Sequence, residues 1–203
     1  MIAVVEGISA AGKTTWCRAH AQAYLIRETY PADRKAQPAT GLATARYWAS
    51  WNAKRWGDAL AMERAAGHAV CDTDPLKLHY NWCLWQIGVL PRSQWELQLQ
   101  TSREAFAEKK LGFADAYFVK VMDPVIARQQ RDADTSRVRD RFDLNVRLQP
   151  HLITWYRQMD AVLGGRVCWK LPEAGLSLDA ITANELRYDI DAFDVFIASL
   201  DTV

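Results

Sequence analysis

Gly7-Ile8-Ser9-Ala10-Ala11-Gly12-Lys13-Thr14, placed directly after the apolar run Ile2-Ala3-Val4-Val5, decides how the rest of this 203-residue chain is read. It is a complete G-x-x-x-x-G-K-[ST] phosphate loop in the context such a loop requires, a β-branched strand before it and a helical pattern after it. The glycines let the backbone wrap an anion so that successive N–H groups point inward, and the following helix turns its positive end toward the same phosphates. The expectation is a bound nucleoside triphosphate, held by Gly7, Ala10, Ala11, Gly12, Lys13, Thr14 and Thr15. Lys13 reaches the β- and γ-phosphates in this reading. Thr14 supplies a hydroxyl to Mg²⁺, a hard cation that keeps most of its waters and needs few protein oxygens.

Half of the residues are hydrophobic, enough for one core, so a single domain over residues 1–203 is expected. A formal net charge of +1 removes the electrostatic argument for a nucleic acid or a membrane surface as partner. Charge is nevertheless clustered. Six arginines lie between Arg128 and Arg147, whereas seven acidic residues from Glu173 to Asp201 face Arg187 alone. The first cluster suits an anion reader and the second a solvated face. Cys17, Cys71, Cys83 and Cys168 are scattered without metal spacing and read as buried small hydrophobes of a reducing compartment. With no leader-like start and no apolar run of membrane length, a cytoplasmic location is expected.

Along the chain, Ile2–Glu6 reads as a central parallel strand and Lys13–Ile26 as its crossover helix, with a short strand around Leu25–Thr29. A helix follows over Leu42–Ala66, stopped by Gly67. His68–Cys71 is a strand closed by Asp72-Thr73-Asp74-Pro75, since proline bars its continuation. Helices are expected at Leu76–Ile87 and Arg92–Lys110, a strand at Tyr117–Val121 ending in Asp123-Pro124, and then a helical segment carrying the arginines. Val138–Leu163 reads as a long helix kinked or restarted at Pro150, and Val167–Leu171 as the last strand. Strands alternating with helices predict an α/β, three-layer fold with a mostly parallel five-stranded sheet flanked by helices. Ligands of such sheets sit outside the carboxyl ends of the strands, which draws attention to Glu6, Glu28, Asp72, Asp74, Asp123 and Pro172-Glu173.

Three features in order, the phosphate loop on the first strand, the acidic close at Asp72 and an arginine-rich segment after Asp123-Pro124, make the chain resemble the P-loop kinases of nucleosides and nucleotides. That group includes thymidylate kinase, the deoxynucleoside kinases and chloramphenicol phosphotransferase-like enzymes. The absence of an Asn-Lys-x-Asp guanine reader and of a Leu-Ser-Gly-Gly-Gln signature argues against switch GTPases and transporter ATPases. The resemblance implies an ATP- and Mg²⁺-dependent transfer of the γ-phosphoryl group to a small-molecule hydroxyl, beneath an arginine lid at about residues 124–142. It also implies an acceptor side built from the helical region at about 42–110.

Phosphoryl transfer needs positioning and positive charge. Lys13 is one cation, and Arg128 and Arg131, three apart on one helical face, are the lid candidates, followed by Arg137, Arg139 and Arg141; the competing reading pairs them with Asp132, Asp134, Asp140 and Asp143 on a solvated helix. Asp72 is the candidate behind the metal and Thr14, with an N-cap as its alternative. Asp74 is either a cap or a substrate contact. Glu28 stands where the resembling nucleoside kinases carry the carboxylate that receives the acceptor's proton, with Asp72 and Asp74 as competitors.

The chain departs from that pattern at Thr73, where those kinases place an arginine that helps hold phosphate. The departure favours a phosphate-free acceptor, or another anchor such as Lys77 or Arg46. A nucleoside monophosphate kinase and a nucleotide-binding protein without catalysis remain the rival readings. Tryptophans from Trp48 to Trp95 suit either core or an aromatic pocket, and Trp48, Asn52, His79 and Trp82, with Tyr80 and Arg55 as neighbours, are the acceptor-side candidates. The sequence leaves open whether two copies associate as a homodimer.

Overall fold

A computed structural model of the chain describes residues 1–32, 40–133 and 142–201. Five strands, β1 (Ile2–Gly7), β2 (Leu25–Ile26), β3 (Ala69–Asp72), β4 (Ala116–Lys120) and β5 (Val167–Cys168), form one sheet in the order β2-β3-β1-β4-β5, and every pairing is parallel. Helices α1 (Lys13–His20), α2 (Leu42–Ala66), α3 (Leu78–Gln86), α4 (Arg92–Ala107), α5 (Pro124–Ala133), α6 (Phe142–Leu163) and α7 (Ile190–Leu200) flank it.

β1 is buried along its whole length, and its alternation sorts the two faces. Ile2 and Val4 join the larger core with α2, α3, α4, α6 and α7 side chains, while Ala3 and Val5 join a smaller one with Cys17, Ala21 and Val70. Both faces are covered, giving the three expected layers. Trp155 of α6 sits at the centre of the larger core, fully buried against Phe196 at 4.8 Å, Trp82 at 5.8 Å, His79 at 6.3 Å and Trp95 at 6.5 Å between ring centroids.

Several element boundaries differ from the sequence-based expectation. α1 stops at His20 instead of reaching Ile26, because the chain turns through a 3₁₀ segment at Gln22–Tyr24 to bring Leu25 beside Val70. The last strand is two residues long, an edge held by Tyr117↔Val167 and Phe118↔Cys168 alone. α6 runs unbroken through Pro150, and its two ends serve different purposes: Phe142 and Leu148 face the site described below, and Met159 and Leu163 fill the core.

A charge cluster ties the far end of the sheet. The amino terminus lies 2.8 Å from Glu63, and Arg187 donates to both Glu63 oxygens and to Asp115. The Arg187 hydrogen bonds, outweighing burial, hold the Glu63 carboxyl down at about 2 from an ordinary 4.5. The folded state therefore gains stability above pH ~4.5 that fades as pH falls toward about 2. Glu63→Gln should lower Tm near neutrality and lose most of that deficit at pH 3; a deficit of equal size at both pH values would contradict the pairing.

Candidate active site

The phosphate loop joins β1 to α1 at the carboxyl edge of the sheet. Gly7 has φ 148°, and a Cβ there would lie 2.6 Å from the Lys120 carbonyl oxygen of the adjoining strand, so strand pairing itself demands glycine. Gly12 caps α1 with φ 78°, a left-handed conformation that aims the first-turn N–H groups into the loop. Gly7→Ala should cost about 2–4 kcal/mol by displacing β1 from β4, read as a fall in urea midpoint. An unchanged midpoint would contradict that geometry.

Lys13 Nζ arches back over the loop, donating to the carbonyl oxygens of Gly7 at 2.6 Å and Ile8 at 3.1 Å. Thr14 Oγ1 donates to Asp72 Oδ2 at 2.7 Å across the β1–β3 pair. Asp72 Oδ1 is buried without a hydrogen-bond partner among the described residues. Burial raises the Asp72 carboxyl above its ordinary value, against the Thr14 hydrogen bond and Lys13. A hydroxyl and a carboxylate with a spare oxygen, side by side next to the loop, fit Mg²⁺ shared with phosphate oxygens. No group of three or more His, Cys, Asp or Glu able to hold a metal alone occurs among the described residues.

Glu28, just past β2, accepts from Lys77 Nζ at 2.8 Å. Burial would raise its carboxyl, but the Lys77 charge and hydrogen bond prevail and hold it at about 2. Beneath them Glu6, nearly fully buried, accepts from the N–H groups of Gly7 and Asp74, both at 3.0 Å, and lies 3.5 Å from His79 Nε2. Burial opposes its ionisation, yet the charge of His79 where it is protonated, with those of Lys77 and Lys13, keeps Glu6 below the usual carboxylate range. Burial pulls His79 down to about 4, so the imidazole is neutral near pH 7.

All of these groups but Asp72, which lies off the lining behind Thr14, face one cavity of about 1180 Å³. Its floor is the phosphate loop. One wall carries Glu28, Tyr30, Trp48, Trp51, Asn52, Arg55, Lys77, His79 and Tyr80; the opposite wall is Gln130 and Ala133 of α5 with Phe142, Asn145, Leu148 and Leu152 of α6. Trp48, Asn52 and His79 thus reach the cavity, together with Lys13, Thr14, Thr15, Ala10, Ala11, Gly12 and Glu28.

Two acceptor-side candidates lie elsewhere. Trp82 is packed on Trp155 and off the cavity lining, on the inner face of α3. Asp74 is 1% exposed, its Oδ1 accepting from Leu76 N–H at 2.9 Å and its Oδ2 from Tyr156 Oη at 3.3 Å, an Asx turn ahead of α3, whose own N-cap is Lys77. Burial lifts its carboxyl to about 7.

In this structure Arg128 and Arg131 are off the cavity lining, although Gln130 and Ala133 of the same helix are on it. Arg128 Nε is 3.8 Å from Asp143, and Arg131 pairs with Asp132 at 2.7 Å and stacks over the Phe142 ring at 4.6 Å. Arg137, Arg139 and Arg141 lie outside the described residues. Tyr30, Trp51 and Asn145 are wall residues that the sequence reading missed. Tyr30 carried a signal, since it lies two residues beyond Glu28 in the loop that follows β2.

No family model and no curated protein matches the chain by sequence. Solved structures do. A deoxyadenosine kinase from M. mycoides with the products dCMP and a flexible dCDP bound superposes with a TM-score of 0.58 at 12% identity, covering 100% of both chains. The same enzyme with bound dATP gives 0.54 at 11% identity, covering 99% of this chain and 100% of that one. The full-length superposition shows that this chain, with its parallel sheet covered on both faces, shares the three-layer α/β fold of those deoxyadenosine kinase structures.

Proposed function

We propose that this protein is an ATP- and Mg²⁺-dependent kinase that moves the γ-phosphoryl group onto a hydroxyl of a small, nucleoside-like acceptor carrying no phosphate of its own. The observation that carries the reading is the placement of Lys13, Thr14 and the Glu28–Lys77 pair around a single cavity, with Asp72 held to Thr14 just behind its lining. The full-length likeness to deoxyadenosine kinases supports it.

Loop N–H groups would cradle the phosphates, and Lys13 would exchange its two carbonyl contacts for β- and γ-phosphate oxygens. Thr14 and Asp72 would hold Mg²⁺, which when bound screens charge on the phosphates and aligns their oxygens. Glu28 receives a hydrogen bond from the acceptor hydroxyl and points its oxygen toward the phosphorus. A carboxylate held at about 2 is a weak base, so Glu28 chiefly orients the nucleophile and takes the proton late. That suits a loose transition state in which attack needs little prior deprotonation. Tyr30, Trp48 and Trp51 provide faces on which a planar base can stack, and Asn52 an amide for its edge.

Because Glu28 is ionised throughout the working range, kcat/KM should show no acid limb near pH 4–5 arising from it. Glu28→Gln should lower kcat by roughly 10²-fold without moving the acid limb; a limb near pH 4–5 that disappears in the variant would show that Glu28 is an ordinary titrating base. The reading itself is tested by ATP consumption with a panel of deoxynucleosides and of their monophosphates. Saturable turnover with a nucleoside is expected. Turnover with monophosphates alone would make the protein a nucleoside monophosphate kinase, and tight ATP binding without any transfer would make it a non-catalytic binder.

A further inference from the structure

Arg55 is a feature of the cavity that the proposed mechanism leaves unused. It comes from the middle of α2 and is 3% exposed, yet it is part of the cavity wall. Its Nη2 makes every hydrogen bond the side chain has, to the carbonyl oxygens of Asp72 at 3.0 Å and Thr73 at 3.1 Å and to Thr73 Oγ1 at 3.3 Å. All three acceptors are neutral. Nε is buried and has no hydrogen-bond partner, and no described residue forms an ion pair with the guanidinium.

A buried cation with no ion-pair partner is costly, its charge acting only at longer range on Asp74, and a guanidinium is a donor fork whose remaining N–H groups suit the oxygens of an anion. Of the other cations of this region, Lys77 is paired with Glu28, Lys13 is bonded to the loop, Arg46 lines a separate open hollow beside Tyr47 and Lys54, and Arg18 lines the same cavity from the exposed side of α1. Thr73 itself has φ 70°, which turns its carbonyl and hydroxyl onto Arg55 and fixes the fork at the end of β3, next to Asp72.

We infer that Arg55 binds the phosphoryl group on the acceptor side of the cavity, as it arrives on the acceptor oxygen and as the monoester of the product. This rests on the kinase reading above and extends it to product binding: α2 supplies the guanidinium that the β3 end lacks at Thr73. The protein should therefore hold a phosphorylated acceptor more tightly than the unphosphorylated one.

The test uses inorganic phosphate as probe, with the full chain saturated by Mg-ADP, followed by ³¹P line broadening. Wild type should bind phosphate, and Arg55→Gln should weaken it roughly tenfold or more, with Arg55→Lys intermediate. Equal binding by Arg55→Gln, or none by wild type, would overturn the assignment. If Arg55→Gln does not fold, Arg55→Lys identifies the Arg55 Nε–H resonance by its loss, and that resonance in wild type must shift when phosphate is added; a resonance that stays put overturns the assignment too. A second arm compares deoxyadenosine with dAMP. The variant should lose affinity for dAMP and keep that for deoxyadenosine within twofold, whereas equal loss of both would mean a merely structural arginine. Wild type that binds phosphate but neither nucleotide compound would sink the nucleoside reading and leave Arg55 standing.

Discussion

Replacing Lys13 with Ala should abolish phosphoryl transfer, lowering kcat by roughly 10³-fold or more, while Tm moves by no more than about 3 °C. The side chain makes two hydrogen bonds to Gly7 and Ile8 carbonyls and packs against little else, so the fold loses few contacts. Chemistry would lose a cation at the point where three phosphoryl oxygens spread their charge, in a cavity lined by Trp48, Trp51 and Phe142. Circular dichroism melting beside single-turnover transfer separates the two effects. Transfer within tenfold of wild type would remove Lys13 from the role assigned to it.

Trp155→Ala should be the most damaging change to the fold. The ring is fully buried and touches α3, α4 and α7 through His79, Trp82, Trp95 and Phe196, so its removal opens a large cavity at the junction of four helices. The expected loss is about 3–5 kcal/mol, on the order of 10 °C in Tm. Trp155→Phe should recover more than half of it. Phenylalanine keeps the edge-to-face contacts, and the indole Nε1 that it removes has no hydrogen-bond partner in the core. Because His79 forms part of the acceptor wall, Trp155→Ala should also raise the acceptor's KM more than that of ATP. Urea melts show the first effect and steady-state kinetics the second; an alanine variant as stable as wild type would contradict the packing described.

The donor half of the site was legible because it is local. β1, the loop and α1 are consecutive, and the glycines that the anion cradle needs are also those that strand pairing and the left-handed cap need. Asp72 was legible as the end of an apolar strand, and the Thr14 hydrogen bond bears out its position beside the loop. The acceptor half depends on partners far apart in sequence. Lys77 was readable as a phosphate anchor only while its pairing with Glu28, 49 residues away, was unknown. Trp82 and Trp48 both sit at helical spacing among other aromatics, and only the docking of α3 against α6 sends the first into the core. Arg55 was visible as a polar neighbour, but its closeness to Thr73 comes from the way α2 crosses the end of β3, which no local pattern encodes.

The central claim is that one cavity joins a triphosphate at Gly7–Thr14 to a nucleoside hydroxyl at Glu28. It is tested most directly by incubating the protein with Mg²⁺, γ-labelled ATP and deoxyadenosine, then separating the products by mass and label. The account predicts labelled deoxyadenosine monophosphate, formed in equal amount with ADP and absent when Lys13 is alanine. Label appearing only as inorganic phosphate, for deoxyadenosine and for every other deoxynucleoside, would contradict it.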